Sequence, residues 1–271
     1  VGSDRGVAAV VLAAGAGTRL APLTHHRPKP LCPVGSVALL DHALARVSGL
    51  GMPVAVNAHH HADQIVEHLE RRSGAGSVHC SVEAGFARGT AGALAALGDW
   101  LDGRDVVVVN ADAFTDVPIG PLLDGWSGER PRVLVVGSDQ FGPRSQVAGA
   151  LVPGHAVARW SAEEASGLWE RCWEPALGDG SLEVAACCGA FVDCGDPVAY
   201  LRANALVRGD GVLVDPSAEV DGRVERSVIG ARSRVAGSVV DSVVWPGATV
   251  ASGEHLERAV RTTDGRTLLV R

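Results

Sequence analysis

Val7-Ala-Ala-Val-Val-Leu12 runs straight into Ala13-Ala-Gly15-Ala-Gly17-Thr18-Arg19-Leu20, and this junction decides how the chain is read. Six consecutive apolar residues fit a strand covered on both faces, as in a parallel sheet. The glycines that follow let backbone N–H groups turn inward and cradle an anion, because no Cβ blocks close approach. Phosphate is the natural guest. From residue 6 to residue 39 there is no acidic side chain, while Arg5, Arg19, Arg27 and Lys29 flank or fall within that span, with His25 and His26 beside them. The net charge is −7, so an acidic chain has kept one positive stretch. Of 24 basic residues, only Lys29 is lysine, set between Pro28 and Pro30, which restrict its backbone and present the ammonium already positioned.

Outward from this junction, apolar runs alternate with helical patterns, the signature of a βαβ sheet. Strands are expected at Val7–Leu12, Pro53–Val56, Val78–Glu83, Asp105–Val109 and Arg132–Val136. Helices are expected at Ala38–Ser48, Ala62–Arg71 and Thr90–Leu101. From Ser138 to Ala186 periodicity is weak, and Trp160, Trp169 and Trp173 are the main apolar anchors. Beyond Gly209 three segments repeat every fifteen residues: Val214 to Val220, Ile229 to Val235 and Val244 to Val250. A second set follows at Val224 and Val228, then at Val239 and Val243. Short rungs separated by Gly, Ser and Pro turns make a small parallel β-helix. The division expected is a domain of residues 1–208 and a β-helix of residues 209–271. Three rungs bury little surface, so the β-helix is expected to dock on the first domain or on a second copy in a homo-oligomer.

Two familiar phosphate loops fail on spacing. A dinucleotide fold needs G-x-G-x-x-G opening a helix, whereas Gly15 and Gly17 lead to Leu20 and Pro22. A P-loop needs G-x-x-x-x-G-K-[ST], and no such string occurs. The string G-x-G-T-R-L, then Pro22-Leu-Thr24, then Pro28-Lys29-Pro30 resembles the sugar-1-phosphate nucleotidylyltransferases. Val56-Asn57 and its following helix, Gly89-Thr90-Ala91-Gly92, Asn110-Ala111-Asp112 and Phe191-Val192-Asp193 extend the likeness. It implies an α/β fold: a Rossmann-like nucleotidyltransferase domain with a mixed, mostly parallel sheet, plus a short C-terminal left-handed parallel β-helix. It implies that Leu12, Ala13, Ala14, Gly15, Gly17, Thr18, Arg19, Gly89 and Thr90 bind the nucleotide. Arg19 and Lys29 are then catalytic, and Asp112 and Asp193 hold Mg²⁺. The implied substrates are a nucleoside triphosphate and a sugar 1-phosphate, with guanine and mannose favoured by likeness to small bacterial mannose-1-phosphate guanylyltransferases.

The likeness is imperfect. Ala87-Arg88 replaces a usual Pro-Leu, Ala111 replaces a glycine, and the alignment of Glu83 with a usual acid is open. The family's second lysine, in an E-K-P string, has no counterpart; either Arg159 or another arginine substitutes, or the sugar is held differently. A catalytically silent homologue that binds nucleotide therefore stands as an alternative, as does a bifunctional enzyme with an acyltransferase β-helix. His59, His60 and His61, adjacent after a strand, read as surface or packing residues rather than metal ligands.

Composition bounds the rest. With 46% hydrophobic residues the 271-residue chain can bury a sizeable core. No run of eighteen apolar residues occurs, so no membrane partner is expected. The N-terminus shows no signal-type stretch, and the chain reads as cytoplasmic. The acidic balance argues against nucleic acid, which needs clustered Lys and Arg. Six cysteines without C-x-x-C spacing read as reduced and mostly buried.

Overall fold

The computed structural model describes residues 6–72 and 78–271; Arg5 lies outside them. Two compact units share the chain. One comprises the residues up to Ala16 together with Leu40–Phe191, the other Gly17–Leu39 together with Val192–Arg271. The expected boundary at residue 208 falls inside the second unit.

The first unit is built on a seven-stranded sheet whose spatial order is 183–187, 132–136, 147–152, 105–110, 7–12, 54–58, 79–82. Strand Val7–Leu12 lies near the middle, parallel to Val54–Ala58 on one side and to Asp105–Asn110 on the other. Ala8 to Val11 are fully buried, which is why this strand reads as an unbroken apolar run. Val147–Val152 runs antiparallel to both of its neighbours and makes the sheet mixed. Its alternation is hidden in the sequence because both faces are covered from Ala148 to Val152.

Helices Leu39–Ser48 and Ala62–Glu70 fall where the pattern predicts them. The single helix expected at Thr90–Leu101 is two, Gly89–Ala96 and Gly98–Leu101, broken at Leu97. Gly98 at that point is a poor helix former, and its backbone entropy favours the break. Ala91, Ala93 and Leu94 of the first piece pack with Val10, Val106 and Val133 in the main core. The weakly patterned stretch folds as short pieces, Gly154–Val157, a π-helical turn at Trp169–Trp173 and Glu174–Gly178, with Trp160 and Trp173 against that core.

In the second unit the fifteen-residue repeat is met in register. Val214 pairs with Ile229 and Ile229 with Val244, while Val220 pairs with Val235 and Val235 with Val250. Val224 pairs with Val239. Three parallel sheets result, the arrangement of a β-helix, with Ile229, Val235, Val239, Val244 and Val250 facing one core. A fourth turn, at His255–Glu257 and Ala259–Arg261, escapes the sequence reading because two extra residues break the period: Val239 pairs with Leu256 and Val243 with Val260. Thr267–Leu269 then closes one sheet in antiparallel sense.

Helix Pro197–Arg208 binds this β-helix to the segment 33–35. Its Asp196 cap accepts from the Ala199 amide at 2.8 Å. Fully buried Tyr200 donates to the Pro33 carbonyl and accepts from the Trp245 indole N–H at 2.9 Å. Burial raises the Tyr200 phenol well above its ordinary value, so it stays neutral and able to donate. Asn204 Oδ1 accepts from the Gly35 amide at 3.0 Å. Truncation after Arg208 should therefore lower the melting temperature by several degrees or more, since it strips Tyr200 of a partner and uncovers the helix. A truncated chain that melts with the full chain would show that the β-helix adds nothing to the fold.

Candidate active site

Within the first unit, the carboxyl end of Val7–Leu12 is fixed by a chain of buried polar groups. The Ala13 amide donates to Asn57 Oδ1 at 2.8 Å, and Asn57 Nδ2 donates to Glu83 Oε1 at 2.7 Å. Glu83 Oε2 accepts from the Arg88 amide at 2.8 Å. Asn57 and Glu83 are only 3% and 5% exposed. A buried carboxylate this well bonded ties the start of the glycine loop to the start of the Gly89 segment. Glu83, left open by the sequence, is thus the centre of a brace. Its own carbonyl meets His59 Nδ1 at 2.9 Å, and His60 packs edge-on to His61.

Beside Leu12, the Ala111 amide donates to the Leu12 carbonyl at 3.0 Å, so Asp112 follows directly at the carboxyl end of Asp105–Asn110. Gly15 is exposed, and a Cβ placed there would touch nothing within 4 Å. That space is open to a ligand.

The Gly89 segment is built differently. Gly89 has φ +71°, and a Cβ there would come within 2.5 Å of the Ser166 carbonyl oxygen. That oxygen accepts from the Ala91 and Gly92 amides at 2.9 and 3.3 Å, while the Ser166 amide donates to Arg88 O. Thr90 Oγ1 accepts from the Leu168 amide at 2.7 Å. The Thr90 hydroxyl is therefore tied into the protein backbone, and 166–168 caps the helix start. Nothing local in the sequence signals this contact, which spans 78 residues. The Arg88 guanidinium bonds the Ala162 carbonyl and lies over the Phe86 ring. Arg159 is exposed and follows Gly154–Val157, whose first amide binds Asp105 at the amino-terminal end of its strand. It is poorly placed to stand in for a second lysine at the carboxyl end.

In the second unit Gly17 takes φ +61°, and a Cβ there would lie 2.9 Å from Lys29 Cβ and 3.1 Å from Thr24 Cγ2. Only glycine lets the loop lie on the lysine stem. Thr18–Leu20 continues as one 3-10 turn, with the Thr24 hydroxyl donating to the Gly17 carbonyl at 3.0 Å. Lys29 is 4% exposed, and its Nζ donates to Asp193 Oδ1 at 3.1 Å. Arg19 reaches Asp193 Oδ2 at 3.5 Å with a side chain 73% exposed. Three residues singled out from sequence, Arg19, Lys29 and Asp193, thus form one cluster. Cys32 lies just behind it, and burial pushes its thiol up to about 12, leaving it neutral and inert beside the lysine.

Among the described residues no group of three or more His, Cys, Asp or Glu is placed to hold a metal. Asp112 belongs to the first unit and Asp193 to the second. No helix among the described residues is long and apolar enough to cross a membrane. No disulfide joins the cysteines.

Comparison with known proteins sharpens the reading. Residues 8–139 match the family model described as nucleotidyl transferase. An N-acetylmuramate alpha-1-phosphate uridylyltransferase of Caulobacter vibrioides is 38% identical over 140 residues, 47% of this chain and 56% of that protein. A mannose-1-phosphate guanylyltransferase of Mycobacterium tuberculosis is 30% identical over 130 residues, 48% of this chain and 36% of that protein. The matched part thus spans about half of the first relative and a third of the second. A solved structure from Bacillus anthracis, assigned as a glucose-1-phosphate thymidylyltransferase, superposes with a TM-score of 0.64 over 75% of this chain and 96% of that one. At 22% identity this shows the fold alone.

Proposed function

We propose that this chain, whose residues 8–139 match the nucleotidyl transferase family model, transfers a nucleotidyl group from a nucleoside triphosphate to a sugar 1-phosphate. The products are an NDP-sugar and pyrophosphate. The observation that carries this reading is the buried Lys29 ammonium, held at Asp193 beside an exposed Arg19 on a glycine loop.

A sugar-phosphate oxygen attacks the α-phosphorus in line while pyrophosphate leaves from the opposite side. The nucleophile is already an anion, so no general base is needed, and catalysis reduces to alignment and charge stabilisation. Arg19, on its long exposed stem, holds the leaving pyrophosphate with the glycine-loop amides. Lys29 neutralises the transferring phosphate, and Asp193 orients Lys29. The Asn57–Glu83 brace keeps Ala13 and Arg88 fixed, so the loop that receives the triphosphate and the segment that reads the base do not have to be ordered on binding. Asp112 and Asp193 each carry hard carboxylate oxygens of the kind that would hold Mg²⁺. When bound, Mg²⁺ adds charge neutralisation on the phosphates. Asp112→Asn keeps the shape but loses the charge, and should raise the Mg²⁺ needed for half-maximal turnover by on the order of tenfold. An unchanged Mg²⁺ requirement would remove Asp112 from the ligand set.

The test is a grid of nucleoside triphosphates against sugar 1-phosphates with Mg²⁺, scored by pyrophosphate release. GTP with mannose 1-phosphate heads it, and UTP with N-acetylmuramate 1-phosphate stands beside it, as the relatives' names suggest. A second reading, a silent homologue that binds nucleotide without turnover, draws on the single lysine of the chain. Triphosphate binding with no pyrophosphate anywhere in the grid would favour it.

A further inference from the structure

The second unit holds a cavity of about 350 Å³ between helix Pro197–Arg208 and the β-helix, which shares no residue with the Arg19–Lys29–Asp193 cluster. That volume lies in the range of small-molecule sites. Its floor is apolar: Val228 and Val243, paired across adjacent rungs and almost fully buried, face Leu201 and Ala205 of the helix.

Its rim is cationic. Arg202 and Arg208 come from the helix, Arg226 and Arg258 from the β-helix, against a single carboxylate, Asp241. In a chain of net charge −7 the lining alone carries an excess of three positive charges, with Glu225 3.8 Å from Arg226 just outside it. Arg226, Asp241 and Arg258 each directly follow a strand of one β-helix sheet, and all three have left-handed φ, from 41° to 47°. The corner therefore carries a fixed plus, minus, plus ladder. Asp241 is held by Arg226 through two bonds at 2.8 and 2.7 Å, one to each carboxylate oxygen. That bond holds its carboxyl below the ordinary carboxylate value, with Arg208 and Arg258 adding to the effect. Arg202 has no carboxylate partner among the described residues.

The neutral polar groups of the lining are already committed. Asn204 bonds Gly35 and Tyr200, and the Ser242 hydroxyl bonds Val240 and Ala259. Recognition at this pocket is left to guanidinium N–H donors, which suit an oxyanion with several acceptor lone pairs. We infer that the pocket binds a small organic phosphate, its anionic group held by Arg202, Arg208 and Arg258 and its apolar body resting on the Val228–Val243 floor. The substrate phosphates of the proposed reaction are not required to occupy it.

Phenyl phosphate is the probe, titrated calorimetrically into the full chain at low ionic strength, with inorganic phosphate and phenol as partial probes. The expected result is saturable binding of phenyl phosphate, at least about tenfold tighter than inorganic phosphate, and none of phenol. Arg202→Glu should weaken phenyl phosphate by about tenfold or more, because it sets a like charge against the ligand. Arg202 is exposed, so the fold should survive. The milder Arg202→Gln with Arg258→Gln reads the same site should the reversal fail to fold. Lys29→Arg should leave the affinity unchanged. No saturable binding, equal affinity for inorganic and phenyl phosphate, or loss in Lys29→Arg with retention in the Arg202 and Arg258 variants would each overturn the assignment. Because the readout is binding, a failure of the proposed nucleotidyl transfer leaves it standing or falling by itself.

Discussion

Lys29→Arg is expected to lower kcat by on the order of 10² to 10³, with a smaller change in triphosphate affinity. The substitution keeps the charge, so a role that needed only a cation would tolerate it. The surroundings do not. The lysine stem lies against the Gly17 backbone, where even an added Cβ would come within 2.9 Å, and the side chain is 4% exposed. A planar guanidinium is wider than an ammonium and presents its donors in a fork rather than at a point. It can keep a bond to Asp193 only by displacing the charge from the place where the transferring phosphate would meet it. A preorganised donor that strengthens in the transition state registers in kcat rather than in affinity. The check is steady-state pyrophosphate release at saturating substrates. A variant within about threefold of the parent would make the lone lysine an accident of an arginine-rich composition.

Gly89→Ala is expected to cost about 3 kcal/mol of stability and most of the activity. Two independent penalties add. A left-handed φ of +71° costs an alanine roughly 1–2 kcal/mol. A new Cβ at 2.5 Å from the Ser166 carbonyl must push backbone aside, and overpacking of this kind costs about 1–3 kcal/mol. The displaced carbonyl is the one that caps Ala91 and Gly92, so the start of helix Gly89–Ala96 would shift with it. A fall in melting temperature of roughly 6–12 °C follows from about 2–4 °C per kcal/mol for a chain of this size. Gly15→Ala is the control, since a Cβ there meets nothing and its melting point should hold. If the two variants melt together, the Ser166 contact does not constrain the fold.

The legible parts of this protein are those whose physics is local or periodic. A strand buried on both faces shows itself as Val7 to Leu12, and the same reasoning finds Arg132–Val136 at its observed bounds. The valines fifteen residues apart predict their own partners, because a β-helix stacks each rung on the next at constant spacing. The rule fails at the fourth turn, where two inserted residues shift the pairing to seventeen. Antiparallel Val147–Val152 was not legible, since a strand covered on both faces has no period to read and Ala148-Gly149-Ala150 in its middle carries little strand preference.

The sequence by itself determined a mostly parallel α/β sheet whose first strand runs into a glycine loop, a β-helical tail, and a lysine that composition alone singles out. Those follow from side-chain pattern, backbone freedom and charge, which belong to single segments. Tertiary structure alone decided the partners. Lys29 meets Asp193 from 164 residues away, Thr90 is tied to Leu168, and Glu83 joins Asn57 to Arg88. It alone also gathered Arg202, Arg208, Arg226 and Arg258 around one apolar floor. Contacts between distant segments are set by how the sheet, the helix and the rungs pack, and no spacing along the chain encodes them.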